Sequence, residues 1–213
     1  MRPLDQCRLY GILDTGYCAP ERMGAILEQM IAGGVDIVQL RAKSMAPDRI
    51  AELARELHPV SQAAGVPFII NDHPALAGET EVEGIHVGVE DMTVAEARRL
   101  AGRPCWIGKS SHSLPQAHEG AGQGADYLGF GPLFATPTKP DYIPIGTDQI
   151  RAVYEQVQVP VFCIGGIKQE NLPGVIASGA QRVVIVSGIL LAVDPAAYTR
   201  ACVDQLAQTG ISG

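Results

Sequence analysis

The amino-acid sequence predicts a single α/β domain built as a closed (βα)8 barrel, the TIM-barrel fold. Eight short apolar runs alternate along the chain with amphipathic stretches of helical spacing. The runs are almost continuously hydrophobic, as in parallel strands that are covered on both faces. Polar residues directly follow most of the runs, where such a barrel places its active site. Because 213 residues are fewer than the ~250 typical of the fold, a doubly wound open sheet is the alternative.

Length and composition favour one domain over residues 1–213, because 46% of the residues are hydrophobic and only 18% are charged. A net charge of −7 argues against a nucleic-acid partner, so local cations or a metal ion must meet any anionic ligand. The five cysteines show no CxxC pair and no zinc-like spacing, which favours reduced thiols in a cytoplasmic protein. We expect no membrane partner, because the N-terminus lacks an apolar signal core and no apolar run approaches ~20 residues. The composition is compatible with a homodimer.

The eight apolar runs are predicted as the barrel strands, because each is bounded by Gly, Pro, Asn or Asp. In chain order they cover residues 9–13, 37–40, 68–70, 85–87, 105–107, 127–130, 161–164 and 183–186.

The stretches between the runs are predicted as helices, because their apolar residues recur at helical spacing. These helices include residues 26–31, 50–57, 94–100, 114–122, 148–157, 169–177 and 195–207. Thr93, Ser113 and Thr147 stand where N-cap residues are expected. The segments AGGVDIV, GQGADYL and ASGAQRV, at 32–38, 122–128 and 177–183, resemble one another and predict one helix-to-strand joint used repeatedly.

Gln39, Arg41 and Lys43 occupy alternate positions at the end of the second strand. A period of two sends all three side chains to one side if the strand continues. Two cations and an amide donor would then face one place, as anion binding requires. The alternative is a solvated strand end with long side chains.

Carboxylates follow the third and fourth strands, at Asn71-Asp72 and at Asp91. Two carboxylates on adjacent strand ends suit Mg²⁺, which often binds through one or two carboxylates together with substrate phosphates. Asn and Asp also form turns readily, so turn capping is the alternative for each residue. Glu90 is a substitute ligand for the same ion.

Strand five is followed by Gly108-Lys109-Ser110-Ser111-His112. The segment offers a serine and a histidine that can orient a phosphate and transfer a proton. No triad ordering and no G-x-S-x-G elbow is present, which excludes nucleophilic serine chemistry. His112 is either an acid–base residue or a packed loop residue.

Glycine-rich segments follow the last three strands. The sequence GFGPLFATPTK, residues 129–139, combines glycines that let backbone N–H groups approach a ligand with threonine and lysine donors. Gly165-Gly166 and Ser187-Gly188 follow the seventh and eighth strands, the usual phosphate site of this fold. Tight turns are the alternative for all three segments. Two anion sites on one barrel indicate two phosphorylated substrates.

The strand-end motifs resemble, in order and spacing, those of the thiamine-phosphate synthase family. The resemblance covers about residues 10 to 195. It rests on QLRAK at 39–43, Asn71-Asp72 with Leu76-Ala77, residues 84–88 with Glu90-Asp91, IGKS at 107–110, Gly131-Pro132 through TPTK at 136–139, IGGI at 164–167 with Asn171, and Val186-Ser187.

This resemblance implies a transferase that joins a hydroxymethylpyrimidine diphosphate to a hydroxyethylthiazole phosphate and releases pyrophosphate, with Mg²⁺ as cofactor. It implies that Asp72 and Asp91 bind the metal and that Arg41, Lys43 and Lys139 stabilise the departing diphosphate. The pyrimidine diphosphate is expected on Gln39, Arg41, Lys43, Asn71, Ser110 and Lys139. The thiazole phosphate is expected on Thr136, Pro137, Thr138, Gly166, Val186 and Ser187. No general base is required.

Two positions depart from the family pattern, since Val89 stands where glutamine is common and Gly188 where alanine is common. Ser-Gly-Ile at 187–189 and Ser-His-Ser at 111–113 also resemble the related thiazole tautomerases, in which His112 would shuttle a proton. Those enzymes tend to lose the Asn-Asp pair, the second aspartate and the Thr-x-Thr-Lys pattern, all of which this chain keeps. The synthase is therefore favoured over a tautomerase.

Two other functions fit parts of the sequence. A non-catalytic sensor of thiazole or thiamine phosphate has no evident need for the two carboxylates. A sugar-phosphate isomerase on the same fold leaves Gln39, Arg41 and Lys43 unexplained.

Overall fold

The computed structural model, which describes residues 1–136 and 143–208, contains eight parallel strands that close into a barrel in chain order. The strands are β1 (Leu9–Asp14), β2 (Ile37–Arg41), β3 (Phe68–Asn71), β4 (Gly84–Val87), β5 (Trp106–Ser111), β6 (Tyr127–Phe130), β7 (Val161–Cys163) and β8 (Val183–Ile185). β8 pairs with β1, so the sheet has no open edge. The predicted TIM barrel is confirmed and the doubly wound alternative is wrong.

Helices fill the connections and cover the outside of the barrel. Those of the described residues are α1 (Pro20–Gly33), α2 (Pro47–Ala63), α3 (Ala77–Thr80), α4 (Val94–Ala101), α5 (Leu114–Gly122), α6 (Ile150–Gln156), α7 (Leu172–Ala177), α8 (Ser187–Leu190) and α9 (Pro195–Ala207). α5 and α9 have the predicted bounds. α3 and α8 were not predicted, because a four-residue helix is too short to show a period of 3.6.

Two of the three predicted N-caps are confirmed. The side chains of Thr93 and Ser113 each accept a hydrogen bond from the backbone N–H three residues further on. Thr147 is not a cap, and this prediction is wrong. Its backbone carbonyl accepts a hydrogen bond from Ile150 N–H, which closes a turn, and α6 begins only after that turn.

The three similar segments form one type of helix-to-strand joint, as predicted. Gly34, Gly124 and Gly179 have φ values of 92°, 85° and 106°, in the left-handed region that glycine adopts without a Cβ clash. In each joint the next residue donates its N–H to the carbonyl five residues earlier, at 3.0, 3.2 and 3.3 Å. This pattern closes the C-terminus of a helix and turns the chain into the next strand.

Two of these joints also fix the amino ends of neighbouring strands. The Asp36 carboxylate accepts hydrogen bonds from the N–H groups of Arg8 and Leu9, both at 2.8 Å. The Asp126 carboxylate accepts one from Ile107 N–H at 2.7 Å. The amino face of the barrel is therefore stabilised by acidic residues, which leaves the carboxyl face to carry the site.

Gly34→Ala is expected to lower the free energy of unfolding by about 1 kcal/mol, because a Cβ is disfavoured at a φ of +92°. Gly24, inside α1, is the matched control, because a Cβ there would meet nothing within 4 Å. Gly24→Ala should stabilise the protein by about 0.5–1 kcal/mol. Urea denaturation of both variants measures the two effects. A higher free energy of unfolding in Gly34→Ala would contradict the left-handed backbone conformation of Gly34.

Aromatic and aliphatic side chains fill the inside of the barrel. The rings of Tyr10 and Tyr127 lie edge-to-face against Phe162, with centroids 5.4 and 5.7 Å apart, and all three side chains are almost fully buried. Ile37 and Ile69 pack in the same interior cluster. The layer forms the floor on which the site rests.

Candidate active site

A cavity opens above the aromatic floor at the carboxyl ends of the strands, as the sequence predicts for this fold. Eight of the predicted site residues line it, namely Gln39, Arg41, Asn71, Ser110, Thr136, Gly166, Val186 and Ser187. They come from six different strand ends and meet only because the sheet closes. The predicted residues Pro137, Thr138 and Lys139 lie outside the described residues.

Arg41 enters the cavity from the last position of β2 and is held by an acidic partner. Its Nη1 lies 2.7 Å from Oδ2 of Asp14, at the end of β1, and Asp14 is only 2% exposed. Oδ1 of Asp14 accepts a second hydrogen bond, from Gly16 N–H at 2.8 Å. Asp14 therefore fixes the position of the guanidinium, a role that the sequence reasoning missed.

Lys43 is not among the residues that line the cavity, and its position differs from the predicted one. β2 ends at Arg41, so the alternation of the strand does not continue to Lys43. Lys43 lies in the turn that follows, and its Nζ is 3.2 Å from Oδ2 of Asp72. Its side chain is 49% exposed, which leaves it able to contact a ligand from the solvent side.

Asp72 and Asp91 lie close enough together for their carboxylates to interact. Asp72 has a φ of 67°, and its N–H donates to His86 O at 2.9 Å, which joins the ends of β3 and β4. Burial, and next the neighbouring Asp91 carboxylate, raise the pKa of Asp72 above its ordinary value of 3.8, although Lys43 partly offsets this. Asp91 Oδ2 accepts a hydrogen bond from Gly88 N–H at 2.7 Å.

These two carboxylates fit a hard divalent cation. Two anionic oxygens forced together repel each other, and a bound cation removes that repulsion. Within residues 1–136 and 143–208 no group of three or more His, Cys, Asp or Glu residues is arranged to hold a metal. Asp72 and Asp91 would supply two carboxylate ligands, a number with which Mg²⁺ is often bound when substrate phosphates and water complete its coordination.

Asp72→Asn is expected to raise the melting temperature of the metal-free protein at pH 7. A carboxyl whose pKa is raised on folding favours the folded state fully only below the unfolded pKa near 3.8, and that contribution is lost as the pH rises through the folded pKa. The amide of Asn does not ionise, so this stability is not lost at pH 7. The increase in melting temperature should therefore become smaller as the pH is lowered towards 4. Calorimetry in EDTA at several pH values measures it, and a lower melting temperature at pH 7 would contradict it.

Lys109 holds the loop that carries Asp91. Its side chain leaves β5 on the helix side, where only 6% of the residue is exposed. Its Nζ donates to the carbonyl oxygens of Gly88, Val89 and Met92 at 2.7, 3.0 and 2.6 Å. Burial lowers the pKa of Lys109, while the nearby Asp91 carboxylate opposes that shift. One ammonium group thus holds three carbonyl oxygens of the β4–α4 loop in place.

The loops after β6 and β7 are packed against each other. Leu133 N–H donates to Ile164 O at 2.8 Å and Phe134 N–H to Gly165 O at 3.0 Å. A Cβ on Gly165 would lie 2.4 Å from Pro132, so only glycine permits this approach. The backbone of the predicted phosphate site is therefore held in place by the loop that precedes the TPTK segment.

His112 also contributes to this loop. Its Nδ1 contacts the carbonyl oxygen of Gly131, and its N–H donates to Gln116 Oε1 at 2.7 Å. His112 is thus a packed loop residue, which is one of the two alternatives given by the sequence, and it also lines the cavity.

The sequence of the chain is similar to the sequences of known proteins. Residues 9–189 match the family described as thiamine monophosphate synthase. The chain is 42% identical over 194 residues to a thiamine-phosphate synthase of Chloroflexus aurantiacus, covering 91% of this chain and 89% of that one. It is 40% identical over 195 residues to a thiamine-phosphate synthase of Shouchella clausii, covering 91% and 93%.

Solved structures agree with these matches. A thiamine phosphate pyrophosphorylase of Pyrococcus furiosus superposes with a TM-score of 0.86 at 28% identity, over 96% of this chain and 97% of that one. A 3-hexulose-6-phosphate synthase of Salmonella typhimurium superposes with a TM-score of 0.70 at 18% identity and shows the shared fold alone.

Barrel, site and relatives together define an enzyme of the TIM-barrel class. More specifically, the chain belongs to the thiamine monophosphate synthase family. The family predicted from the strand-end motifs, and its assignment as a transferase, are confirmed. No helix within the described residues is both long and apolar enough to cross a membrane.

Proposed function

We propose that the protein joins 4-amino-2-methyl-5-hydroxymethylpyrimidine diphosphate to 4-methyl-5-(2-hydroxyethyl)thiazole phosphate, forming thiamine phosphate and pyrophosphate. The observation that carries the proposal is the convergence of eight family-motif residues on one cavity. Relatives named thiamine-phosphate synthase, matched over about nine tenths of both chains, support the same reaction.

The bond between the pyrimidine methylene and the diphosphate breaks first, and its electron pair leaves with the diphosphate. Negative charge grows on the leaving group, so Arg41, Lys43 and Lys139 stabilise the transition state more than the bound substrate. Asp72 and Asp91 would hold Mg²⁺, which supplies further positive charge to the diphosphate. The thiazole nitrogen then donates its lone pair to the pyrimidine methylene cation, and no proton has to be moved.

A methylene cation needs protection from water, which would capture it in place of the thiazole. The aromatic floor serves this purpose, because Tyr10, Tyr127 and Phe162 are almost fully buried and close the barrel below the cavity. The cation would thus form against apolar rings, with solvent restricted to the open side.

The thiazole phosphate would bind on the opposite side of the cavity. Gly166, Val186 and Ser187 would supply the backbone of that site, together with Thr136, Pro137 and Thr138 from the preceding loop. Asn171 supports the backbone there, because its Nδ2 donates to Gly166 O at 3.0 Å. Residues of the segment 129–139 would then contribute to the binding of both substrates.

We also propose a cytoplasmic location. The cysteines of the described residues are all free, and burial raises the pKa of Cys7 and of Cys163 to about 12. Thiols that stay protonated are unreactive, as suits a protein that forms no disulfides.

A direct assay tests the reaction. The purified protein is incubated with both phosphorylated substrates, with Mg²⁺ or with EDTA, and thiamine phosphate and pyrophosphate are measured. Equal amounts of both products, formed only with the divalent cation, are expected. Folded protein that forms neither product would contradict the proposal. Incubation with a thiazole carboxylate phosphate alone tests the tautomerase alternative.

Lys109→Met is expected to weaken Mg²⁺ binding about tenfold, because the loop that carries Asp91 loses its three hydrogen bonds from Nζ. Isothermal titration with Mg²⁺ and the pyrimidine diphosphate measures this directly. Arg99→Met is the matched control, because it removes a positive charge from the exposed face of the adjacent α4. Equal affinities in Lys109→Met and the native protein would show that the loop holds Asp91 without Lys109.

A further inference from the structure

A chain of hydrogen bonds crosses the floor of the cavity and connects Gln39 of β2 with Ser110 of β5. Gln39 Nε2 donates to Tyr10 Oη at 2.7 Å, and the Tyr10 and Tyr127 hydroxyls are 3.1 Å apart. His86 Nδ1 lies 3.3 Å from Tyr127 Oη, and His86 Nε2 lies 3.0 Å from Ser110 Oγ. We call these five residues the floor relay. Both of its ends, Gln39 and Ser110, line the cavity.

The direction of each bond in the floor relay follows from its first donor. Burial raises the pKa of Tyr10 and of Tyr127, so each hydroxyl keeps its one proton. Because Tyr10 accepts from the Gln39 amide, its own proton goes to Tyr127, and the Tyr127 proton goes to His86 Nδ1. Nδ1 is then the nitrogen without a proton, and Nε2–H donates to Ser110 Oγ.

This order decides what the two ends present to a ligand. Ser110 Oγ accepts from His86, so its own proton is not used on His86 and can be donated to a ligand in the cavity. Gln39 is fixed by the N–H that its Nε2 donates to Tyr10, so the acceptor that it offers to a ligand is its carbonyl oxygen Oε1. One end therefore offers a hydrogen-bond donor and the other an acceptor. Reversal of either end requires every bond between them to reverse.

We propose that the floor relay sets the hydrogen-bonding pattern that the cavity offers to the pyrimidine ring, and that it selects a 4-amino ring over a 4-oxo ring. Ser110 O–H suits an acceptor nitrogen of the ring, and Gln39 Oε1 suits the exocyclic amino group. A 4-oxo ring places a carbonyl oxygen opposite Gln39 Oε1, which leaves two buried acceptors facing each other. Tyr10, Tyr127 and His86 are positioning residues in this scheme, which rests on the proposed function.

Tyr127→Phe tests the floor relay, because it removes the central hydroxyl and keeps the ring that packs on Phe162. Affinities for the 4-amino diphosphate and its 4-oxo analogue are measured by titration calorimetry. The native protein should bind the amino compound about 10–100-fold more tightly than the oxo compound. In Tyr127→Phe this ratio of affinities should be about tenfold smaller. Tyr154→Phe is the control, because it removes another buried tyrosine hydroxyl, one that donates to Val161 O outside the floor relay. It should leave the preference unchanged.

The second readout needs no ligand. Nitrogen-15 spectra of the native protein, with the His86 signals assigned from a His86→Asn variant, show which ring nitrogen carries the proton. The floor relay requires Nε2 protonated and Nδ1 unprotonated. The opposite tautomer, or an unchanged preference in a folded Tyr127→Phe protein, would overturn the proposal. Failure of the enzymatic assay alone would overturn the reaction instead, because tautomer and ligand preference are measured without turnover.

Discussion

Asp72→Asn is expected to lower kcat by about 10²–10³-fold while the protein stays folded. The carboxylate lies beside Asp91 and Lys43, where the charge of the departing diphosphate must be balanced. An amide in its place binds Mg²⁺ far less well and removes the charge that positions Lys43. Steady-state rates of pyrophosphate release, measured across a range of Mg²⁺ concentrations, give both kcat and the apparent metal affinity.

Asparagine is the informative replacement because of the backbone at this position. Asp72 has a φ of 67°, which Asn tolerates and Ala does not, so the amide changes charge without adding strain. Glu81→Gln is the matched control, since Glu81 is exposed, also has a positive φ of 56°, and loses the same charge. Turnover of Asp72→Asn within a factor of three of Glu81→Gln would show that Asp72 does not take part in the reaction.

The fold was predictable because its signal is distributed over the whole chain. Eight buried parallel strands must be hydrophobic along their length, and the helix ends that precede them need glycine. Those two requirements marked all eight strands and the repeated joints. Helix ends that are set by a single turn were harder to predict from the sequence. The late start of α6, after the turn that Thr147 closes, depends on one backbone hydrogen bond and not on a pattern.

The site was predictable only where residues belong to a motif. Residues such as Gln39 and Asn71 were identified by their place at a strand end. Asp14, His86 and Tyr10 were missed because each stands alone within an apolar strand, and its partner comes from a strand distant in sequence. His86 carried one usable signal, since position 86 alternates with the apolar residues 85 and 87 of β4 and so faces the barrel interior.

Asp14→Ala is expected to lower kcat/KM about 10²-fold and to destabilise the protein by about 3 kcal/mol. The native carboxylate is 2% exposed and holds Arg41 Nη1 at 2.7 Å, so its removal leaves a guanidinium in a largely enclosed position without its anionic partner. Arg41 can then relieve this by turning towards solvent, away from the diphosphate. Chemical denaturation and initial rates measure the two effects separately.

Two further variants separate the charge of Arg41 from its position. Asp14→Ala combined with Arg41→Ala should recover much of the lost stability, because no unpaired charge remains, but none of the activity. Glu79→Ala breaks the pair between Glu79 and Arg55, whose side chains are 58% and 50% exposed, and should cost less than about 1 kcal/mol. If Asp14→Ala behaved like Glu79→Ala in both measurements, Arg41 would hold its place without Asp14. The pair would then be only one of several contacts at the end of β1, and the geometry of the diphosphate site would have to come from Lys43 and the ligand itself.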